Sequence, residues 1–481
     1  MRATGRAGKR NPRLVIASLV FGLGMFSMTA LTAQVASAAT QTVTNCNDSG
    51  SGSLRQAVLN ANSGDIIAFA LSPSCSTITL SSTIDIDTSV TIAGSGASAL
   101  AVSGDGAVGV VEVASAVTVS ISGLTIEDGN AEGGGGIFNN GTLTVTNSTL
   151  SNNTANNAGV GGGGIYNDGT LTVANSTLSG NIASGGNGGG IYNVTTATVN
   201  ASTLSGNSAS QGGGIFNATA LIVTDSTLSN NSASEYGGGI NGEGTVTSST
   251  LSNNSAGFDG GGIYIVTGGI SVAATIVTDS AGRDCFDGGY EGGSSITDAG
   301  YNLDSDGTCG FSGANHSQSG VDPDLGALQA NGGPTETQAP GTGSPVLNQI
   351  PLGTLGNGIA LCPGADQRGT ARPQGTECDI GAVELVVSQA KAITSAESAA
   401  TTVRTSFSFT VTTTGSPVPR ITKTGSLPKY VKLTDNGDGT ATISGTPKKT
   451  GTYHLKIRAT FGKGKTKTVV TQAFTLTVNP A

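Results

Sequence analysis

A unit of 23 to 28 residues repeats along the middle of the chain and constrains the fold more than any other feature. Each unit holds a Gly-Gly-Gly-Ile tetrapeptide, which ends at Ile137, Ile165, Ile191, Ile215, Ile240 and Ile263. A Ser-Thr-Leu-Ser segment follows each tetrapeptide but the last, with its leucine at Leu150, Leu178, Leu204, Leu228 and Leu251. Short segments in which polar and apolar residues alternate, such as 142–145, lie between the two motifs and predict β-strands. Because one unit cannot bury its own apolar face, neighbouring copies must stack.

The stacked units predict an all-β fold, in which each unit is one coil of a right-handed parallel β-helix solenoid. Coils of three short strands, about 4.8 Å apart, would place Ile, Leu and Val in internal ladders. We expect one asparagine per coil to form a further ladder of stacked amides at a turn: Asn153, Asn181, Asn207, Asn231 and Asn254. The glycine tracts recur once per coil without a strand-to-helix context, so we interpret them as structural turns and not phosphate loops.

The first 38 residues are typical of a secretory signal peptide. Five basic residues accompany an apolar run at 14–31, and Ala36-Ser37-Ala38 suits cleavage after Ala38. No later stretch is apolar enough to span a bilayer. The mature protein is therefore expected to be secreted, extracellular or on the cell surface, with no transmembrane segment.

The spacing of Ser53 and Gln56 is that of a helix-capping box. It predicts a short helix that buries Leu54, Ala57, Val58 and Ala61 on one face. Since a solenoid needs a cap at its open end, we expect this helix and a strand at 65–69 to close the N-terminal end of the β-helix.

Six cysteines in an exported chain indicate disulfide bonds with a structural role. Fifteen connectivities are possible, and we favour sequence neighbours. The favoured pairs are Cys46 with Cys75, Cys285 with Cys309, and Cys362 with Cys378. Neither a CxxC spacing nor a nearby histidine accompanies them, so a metal site is not expected.

Charge changes sign along the chain. Residues 40–385 hold four basic and 28 acidic side chains, a net of −24, whereas residues 386–481 hold thirteen basic and three acidic ones, a net of +10. An asymmetry of this size predicts a domain boundary near Val386. We therefore expect a β-helix with a terminal disulfide-bearing segment over 39–385 and a second domain over 386–481.

Two segments of the β-helix region resemble known families. The sequence Gly-Ser-Leu-Arg-Gln-Ala-Val at 52–58 is similar to the N-terminal segment of bacterial β-helix surface proteins, and the repeats resemble those of polymorphic membrane proteins. Residues 362–384, with Asp366-Gln367-Arg368-Gly369 and Cys378-Asp379-Ile380-Gly381, resemble the end of choice-of-anchor Q domain proteins. These resemblances imply a surface location with varied anchors and no chemistry. The polymorphic membrane proteins have a C-terminal translocating barrel that this sequence lacks, so an autotransporter is not expected.

Residues 388–481 resemble a bacterial immunoglobulin-like domain. The resemblance is carried by Leu427-Pro428, Asn436-Gly437-Asp438-Gly439-Thr440, Ile443-Ser444-Gly445-Thr446-Pro447 and Gly451-Thr452-Tyr453. Alternating Phe407, Phe409 and Val411 predict a sandwich strand. The resemblance implies a small β-sandwich after the solenoid.

Candidate chemical sites each have a structural interpretation that we favour. Partial calcium-loop patterns occur at Asp304-Ser305-Asp306-Gly307 and at 435–439, but both lack the acidic residue that completes a cage, which favours plain turns. Arg368 and Arg372 lie among acidic residues and are expected to form structural salt bridges. His316 has no nearby Cys or second His. We predict no catalytic, cofactor-binding or metal-binding residue.

The composition favours a non-catalytic binding protein over an enzyme. A polysaccharide lyase needs basic side chains at its substrate, yet residues 39–385 contain no lysine, and the chain has no Trp for sugar platforms. A glycosidase needs two carboxylates about 5 to 10 Å apart. The acidic residues in the repeats are sparse, namely Asp168, Asp225, Glu235, Glu243 and Asp259. Lyase or glycosidase activity and a structural surface-layer role stay open as alternatives.

The basic C-terminal region is expected to hold the protein on anionic envelope polymers or glycans, with a strong dependence on salt. The lysines concerned are Lys423, Lys429, Lys432, Lys448, Lys449, Lys456, Lys463, Lys465 and Lys467. Nucleic acid is a less suitable partner because the basic residues lack interleaved aromatic side chains. Alternatively, the basic region could dock on the acidic solenoid.

Overall fold

Short strands dominate the protein, whose computed structural model describes residues 38–289, 295–386, 391–415, 417–462 and 467–481. The predicted signal peptide, apart from Ala38, and two of the basic residues, Lys463 and Lys465, lie outside the described residues. The described part is almost entirely β, as predicted. Its helices are the α-helix Leu54–Asn60 and the 3₁₀-helix Gly313–Asn315.

The described residues of 40–319 form a parallel β-solenoid built from three long sheets, called A, B and C, and a shorter sheet D. Sheet A contains the strands Thr40–Val43, Asp65–Phe69, Val90–Ala93, Thr118–Ser122, Thr142–Thr146, Thr170–Ala174, Thr196–Asn200, Ala220–Thr224, Gly244–Thr247, Gly269–Ala273 and Ser295–Asp298. Sheet B contains Thr77–Thr79, Ala101–Ser103, Thr125–Glu127, Thr149–Ser151, Thr177–Ser179, Thr203–Ser205, Thr227–Ser229, Thr250–Ser252, Ile276–Thr278, Leu303–Asp304 and Gln318–Ser319. Sheet C contains Ile84–Ile86, Val111–Val113, Ile137–Asn139, Ile165–Asn167, Ile191–Asn193, Ile215–Asn217, Ile240–Gly242, Ile263–Ile265 and Cys285–Asp287. Sheet D contains Asn130–Ala131, Thr154–Ala155, Ile182–Ala183, Ser208–Gln211, Ser232–Tyr236 and Ser255–Ala256.

The register of the strands confirms the predicted internal ladders. Ile137 pairs with Ile165 in sheet C, and Leu150 pairs with Leu178 in sheet B. The isoleucines of the tetrapeptides and the leucines of the Ser-Thr-Leu-Ser segments have no exposed surface. Side chains that alternate with them point outward because successive residues of a strand face opposite sides. The apolar positions of each repeat therefore form one continuous core.

The predicted asparagine ladder is present at the turn after sheet B. The side-chain nitrogen of Asn181 donates to the Oδ1 of Asn207 at 2.9 Å and to the carbonyl oxygen of Leu150 at 3.0 Å. Asn207 repeats this pattern with Asn231 at 2.8 Å. All five asparagines of the ladder are fully buried. Each amide thus satisfies backbone groups that the turn would otherwise leave unpaired inside the protein.

A second buried ladder was not predicted. Asn139, Asn167, Asn193 and Asn217 end successive strands of sheet C, and each side-chain nitrogen donates to the next Oδ1 at 2.6 Å. The glycine tracts between these ladders bring adjacent coils close together. A Cβ at Gly189 would lie 2.5 Å from two backbone oxygens, those of Gly213 and Ser208. The tracts are structural turns, in agreement with the prediction.

The predicted helix packs at the N-terminal end of the solenoid. The Ser53 hydroxyl accepts the backbone N–H of Gln56 at 3.1 Å, and Leu54, Ala57 and Val58 are buried. The capping box is only half formed, because the Gln56 side chain donates to Asn60 at 2.9 Å instead of returning to Ser53. The helix nevertheless covers the apolar end of the first coils.

Three disulfide bonds join the described cysteines in the favoured pairs. They connect Cys46 with Cys75, Cys285 with Cys309, and Cys362 with Cys378. The first lies beside the N-terminal helix, and the second joins a strand of sheet C to the turn at 305–312. Each pair ties together residues that are 16 to 29 positions apart.

Residues 320–385, called the covering segment here, leave the coil path and lie along part of sheet B. The Gln367 side chain donates to the Oγ1 of Thr203 at 2.9 Å and accepts from Thr227 at 2.6 Å. The backbone N–H of Ala382 donates to Thr250 at 3.1 Å. The segment includes the hairpin Leu355–Gly356 and Ile359–Ala360. The outward threonines of these coils are consequently buried.

The strands after residue 391 form a small β-sandwich, as predicted. One sheet contains Ala392–Ile393, Phe407–Thr414, Thr440–Gly445 and Val431–Asp435; the other contains Ser398–Thr402, Thr468–Asn479, Gly451–Phe461 and Arg420–Thr424. Between them lies a core that includes Ile443, Ile457 and Phe474. Phe407, Phe409 and Val411 all face this core, which confirms the alternation predicted for their strand.

Candidate functional site

Two arginines of the covering segment form internal ion pairs. Arg368 contacts Asp366 at 2.6 Å, and the fully buried Arg372 lies 3.6 Å from Glu384. Arg372 also donates to the carbonyl oxygens of Asp379 and Gly381. These guanidinium groups hold the segment together and are not presented to a substrate, in agreement with the structural role predicted for them.

Asp225 lies buried beneath this ionic cluster, at the turn between sheets A and B. Its Oδ1 has no hydrogen-bond partner among the described residues. Burial raises the pKa of this carboxyl to about 7, the nearby Arg372 opposes that rise, and Asp366 adds to it. The burial of Asp225 under residues more than 130 positions away has no signal in the repeat.

Two of the other carboxylates of the repeats make local contacts. Glu235 accepts from the Gln211 side chain at 2.9 Å, and Asp259 lies 3.4 Å from Arg283. Asp168 is exposed at a turn after sheet C, and Glu243 follows sheet C three coils further on. Coils are about 4.8 Å apart, so Asp168 and Glu243 lie roughly 14 Å apart along the axis. This pair is therefore further apart than the two carboxylates of a glycosidase.

The two partial calcium patterns form turns. Asp306 accepts the backbone N–H and hydroxyl of Thr308, and Asp304 accepts the N–H of Cys309 at 3.0 Å. In the sandwich, residues 436–439 connect two antiparallel strands, and Asp438 accepts from Thr440 at 2.9 Å. Within the described ranges, no group of three or more His, Cys, Asp or Glu side chains could hold a metal ion.

An aromatic ladder runs along the outside of sheet C. The rings of Phe138, Tyr166, Tyr192 and Phe216 stack at centroid distances of 4.6 to 5.2 Å, with interplanar angles of 5 to 14°. Because the inner rings cover one another's faces, they present edges outward and leave little face for a sugar to stack on. The sequence shows an aromatic residue after several of the tetrapeptides, which was the available signal for this ladder.

Sheet A presents a regular polar surface. Thr142, Thr170 and Thr196 pair in register across three coils, and Thr144 lies beside Thr172 in the same way. The first three are exposed and the latter two are half-buried. Hydroxyls and methyl groups repeated across these coils offer many weak contacts to an extended ligand.

His316 borders an open depression of about 570 Å³ at the C-terminal end of the solenoid. Its ring stacks on Tyr301 at 5.0 Å, and Gln318, Pro345 and Pro351 also line the depression. The histidine therefore packs against a neighbour. Ser317 also lines the depression, and its hydroxyl donates to Asp298 at 2.7 Å and accepts the backbone N–H of Asn302 at 2.9 Å.

The basic residues of the sandwich differ from those of the solenoid and its covering segment. All four arginines of residues 40–385 form salt bridges with acidic residues of the same region. No salt bridge involves a Lys or Arg within the described residues of 391–481. Several of these cations are exposed, among them Lys432, Lys456 and Arg458. Their charge is thus available to an external anion.

No protein-family model, curated protein or solved structure matches this chain. Of the helices in the described ranges, none combines the length and apolar character that crossing a membrane would require.

Proposed function

We propose that the protein is a secreted, non-catalytic surface protein that binds through its solenoid and is retained on the cell envelope through residues 386–481. Secretion follows from the signal peptide proposed for residues 1–38, and the three disulfide bonds suit an oxidising compartment outside the cytosol. We also propose that residues 39–385 belong with the choice-of-anchor Q proteins, on the motifs at 362–384.

The observation that carries the proposal is the contrast in ion pairing. The arginines of residues 40–385 are all neutralised within that region, whereas the described cations of 391–481 form no salt bridge. Residues 386–481 carry a net charge of +10 and contain three acidic residues. Such a charge attracts polyanions over a range set by the Debye length, about 10 Å at 0.1 M salt. Envelope polymers that carry repeated negative charges are suitable partners.

The solenoid supplies the displayed surface in this proposal. The threonine rows of sheet A and the outward residues of Thr149–Ser151 and Thr177–Ser179, which are half-buried, form an extended polar surface. Such a surface suits multivalent adhesion to a glycan or a protein. A polysaccharide lyase or glycosidase is the alternative in which this surface cleaves its ligand, and a surface-layer component is the alternative in which it contacts other copies.

Retention on envelopes is expected to require residues 386–481 and to disappear at high salt. Mature full-length protein should co-sediment with isolated bacterial envelopes at about 0.05 M salt and be released at about 1 M, where the Debye length is about 3 Å. A chain ending at Leu385 should stay in the supernatant at every salt concentration. Equal sedimentation of the two chains would overturn the retention proposal.

The alternatives have their own readouts. Release of reducing or unsaturated sugars from isolated envelope glycans would favour the enzymatic alternative. Concentration-dependent assembly of the purified full-length chain would favour the surface-layer role.

A further inference from the structure

We propose that one outer face of the sandwich binds a linear, phosphate-bearing polymer; this inference rests on the envelope retention proposed above. The face, called the basic face here, is formed by the outward residues of three strands. The strands are Arg420–Thr424, Gly451–Phe461 and Thr468–Asn479.

In the central strand of the basic face, Gly451–Phe461, exposed polar residues alternate with residues buried in the core. Leu455 and Ile457 are buried between the two sheets, and the residues that alternate with them, His454, Lys456 and Arg458, are exposed. Since side chains of one strand alternate between its faces, these three point outward together. Lys456 and Arg458 are two residues apart, which places their Cα atoms about 7 Å from each other.

Small side chains flank the two cations on the neighbouring strands. Arg458 lies in register between Thr422 and Thr471, and Lys456 lies between Thr424 and Ala473. Long basic side chains surrounded by short neighbours protrude from the sheet and stay accessible. The flanking hydroxyls add hydrogen-bond donors beside each positive charge.

Arg420 extends the row of positive charge. It is exposed on the edge strand, where it pairs in register with Thr460, two residues beyond Arg458. The three strands of the basic face contain no Asp or Glu. Asp435, from the other sheet, accepts the backbone N–H of Ile421 at 3.0 Å, so one carboxylate lies at the edge next to Arg420. Along the three strands themselves only positive charge is repeated, which matches a ligand that repeats a negative group along its length.

The residue types favour phosphate as that group. A guanidinium donates two parallel hydrogen bonds to one phosphate, and an ammonium binds phosphate as a point charge. The face is unsuited to stacking with nucleobases. The residues with aromatic six-membered rings in its strands pack into or against the core, namely Tyr453, Phe461 and Phe474. The face is also unsuited to insertion into a membrane, since polar side chains dominate it. A phosphate-linked polymer without nucleobases is the ligand that fits.

A second basic cluster in the sandwich provides a matched control. The ammonium groups of Lys429 and Lys448 lie 5.3 and 4.6 Å from the ring centre of Tyr430. These lysines lie outside the three strands of the basic face. Replacing both by Gln removes the same two charges as Lys456→Gln with Arg458→Gln.

The test measures binding of full-length mature protein to long-chain inorganic polyphosphate over a salt series. We expect Lys456→Gln/Arg458→Gln to weaken binding about tenfold or more at low salt, because charge-assisted hydrogen bonds to phosphate are lost. The slope of log affinity against log salt should fall by about 1.4, since two cations no longer displace counterions. Lys429→Gln/Lys448→Gln should keep most of the affinity. Polygalacturonate, a carboxylate polymer, should bind more weakly than polyphosphate.

Equal losses in the two double variants would show that net charge alone attracts the polymer and would overturn the basic face as a site. Unchanged binding in both would overturn it as well and would indicate that the polymer binds elsewhere on the protein. Equal affinity for polygalacturonate would overturn the preference for phosphate. Sedimentation with envelopes separates the two proposals. If the wild-type protein binds envelopes and the two double variants bind polyphosphate equally, the retention proposal stands and only the basic face is refuted.

Discussion

Replacing Asn207 by Leu is expected to destabilise the solenoid by about 4 kcal/mol, because several buried polar groups lose their partners at once. The Asn207 side chain donates to the carbonyl oxygen of Leu178 at 2.9 Å and to Asn231 at 2.8 Å. Its Oδ1 accepts both the backbone N–H and the side chain of Asn181. Leucine has a similar volume but offers none of these bonds, so the loss is polar and not a cavity effect.

The measurement is the urea midpoint of the full-length protein, followed by circular dichroism. Asn200→Ala in the same coil is the control, since Asn200 is exposed at the end of its strand and should change stability by less than about 0.5 kcal/mol. A midpoint for Asn207→Leu equal to that of the wild type would mean that the ladder does not contribute to stability. Loss of folded protein during expression would agree with the prediction. Asn254→Leu would then give a milder variant for the same measurement, because Asn254 is the last asparagine of the ladder and its side-chain nitrogen donates to the carbonyl oxygen of Leu228 and not to a further asparagine.

The ladder shows which parts of this fold its sequence could reveal. Asn153 and Asn181 recur at one phase of the repeat, so their stacking follows once each repeat is assigned to one coil. The same reasoning places Ile137 above Ile165 and predicts the N-terminal helix from its cap at Ser53. Periodic features are predictable because every coil meets its neighbour in the same way.

Contacts that do not repeat could not be predicted in this way. The covering segment meets sheet B through Gln367 and Thr203, which are 164 positions apart, and no periodicity links them. The ladder of Asn139 and Asn167 was missed for another reason. Its position after the tetrapeptide is occupied by Gly242 in a later coil, which breaks the pattern before it can be recognised as a ladder.

The basic face could be predicted from the sequence only in part. The excess of lysine and arginine after residue 386 is evident from composition, but composition does not say which sheet carries it. Alternation of Lys456 and Arg458 with Leu455 and Ile457 was the available signal for an outward row. The pairing of that strand with two neighbours that contain no Asp or Glu required the structure.

Stability is expected to fall as pH rises from about 4 to 8, partly through Asp225. Burial raises the pKa of this carboxyl from 3.8 to about 7, so the folded protein keeps a proton that the unfolded chain releases above pH 4. The cost of ionising Asp225 in the folded state is absent below the unfolded pKa, grows through this window and is complete above pH 7. A shift of this size corresponds to at most about 4 kcal/mol.

Asp225→Asn is expected to remove this contribution and to stabilise the protein at pH 8 while leaving its stability at pH 4 nearly unchanged. Asparagine suits the site, because Asn147 and Asn175 occupy the same turn of earlier coils with φ of 50° and 49°, close to the 45° of Asp225. The variant keeps an uncharged side chain of the same shape beneath Arg372. Asp168→Asn removes an equal charge from an exposed turn and is the control.

Comparing Asp225→Asn with the wild type isolates the contribution of Asp225 to the pH dependence of stability from those of its neighbours. Burial also raises the pKa of Asp379 and Glu384, so the wild type has further sources of the same pH dependence. These groups lie against Arg372 in both proteins, and their effect largely cancels in the difference between them. The urea midpoints of Asp225→Asn and wild type should therefore converge at pH 4 and diverge by pH 8. Parallel curves across this range would show that Asp225 is already ionised in the folded protein near pH 4, held by the attraction of Arg372.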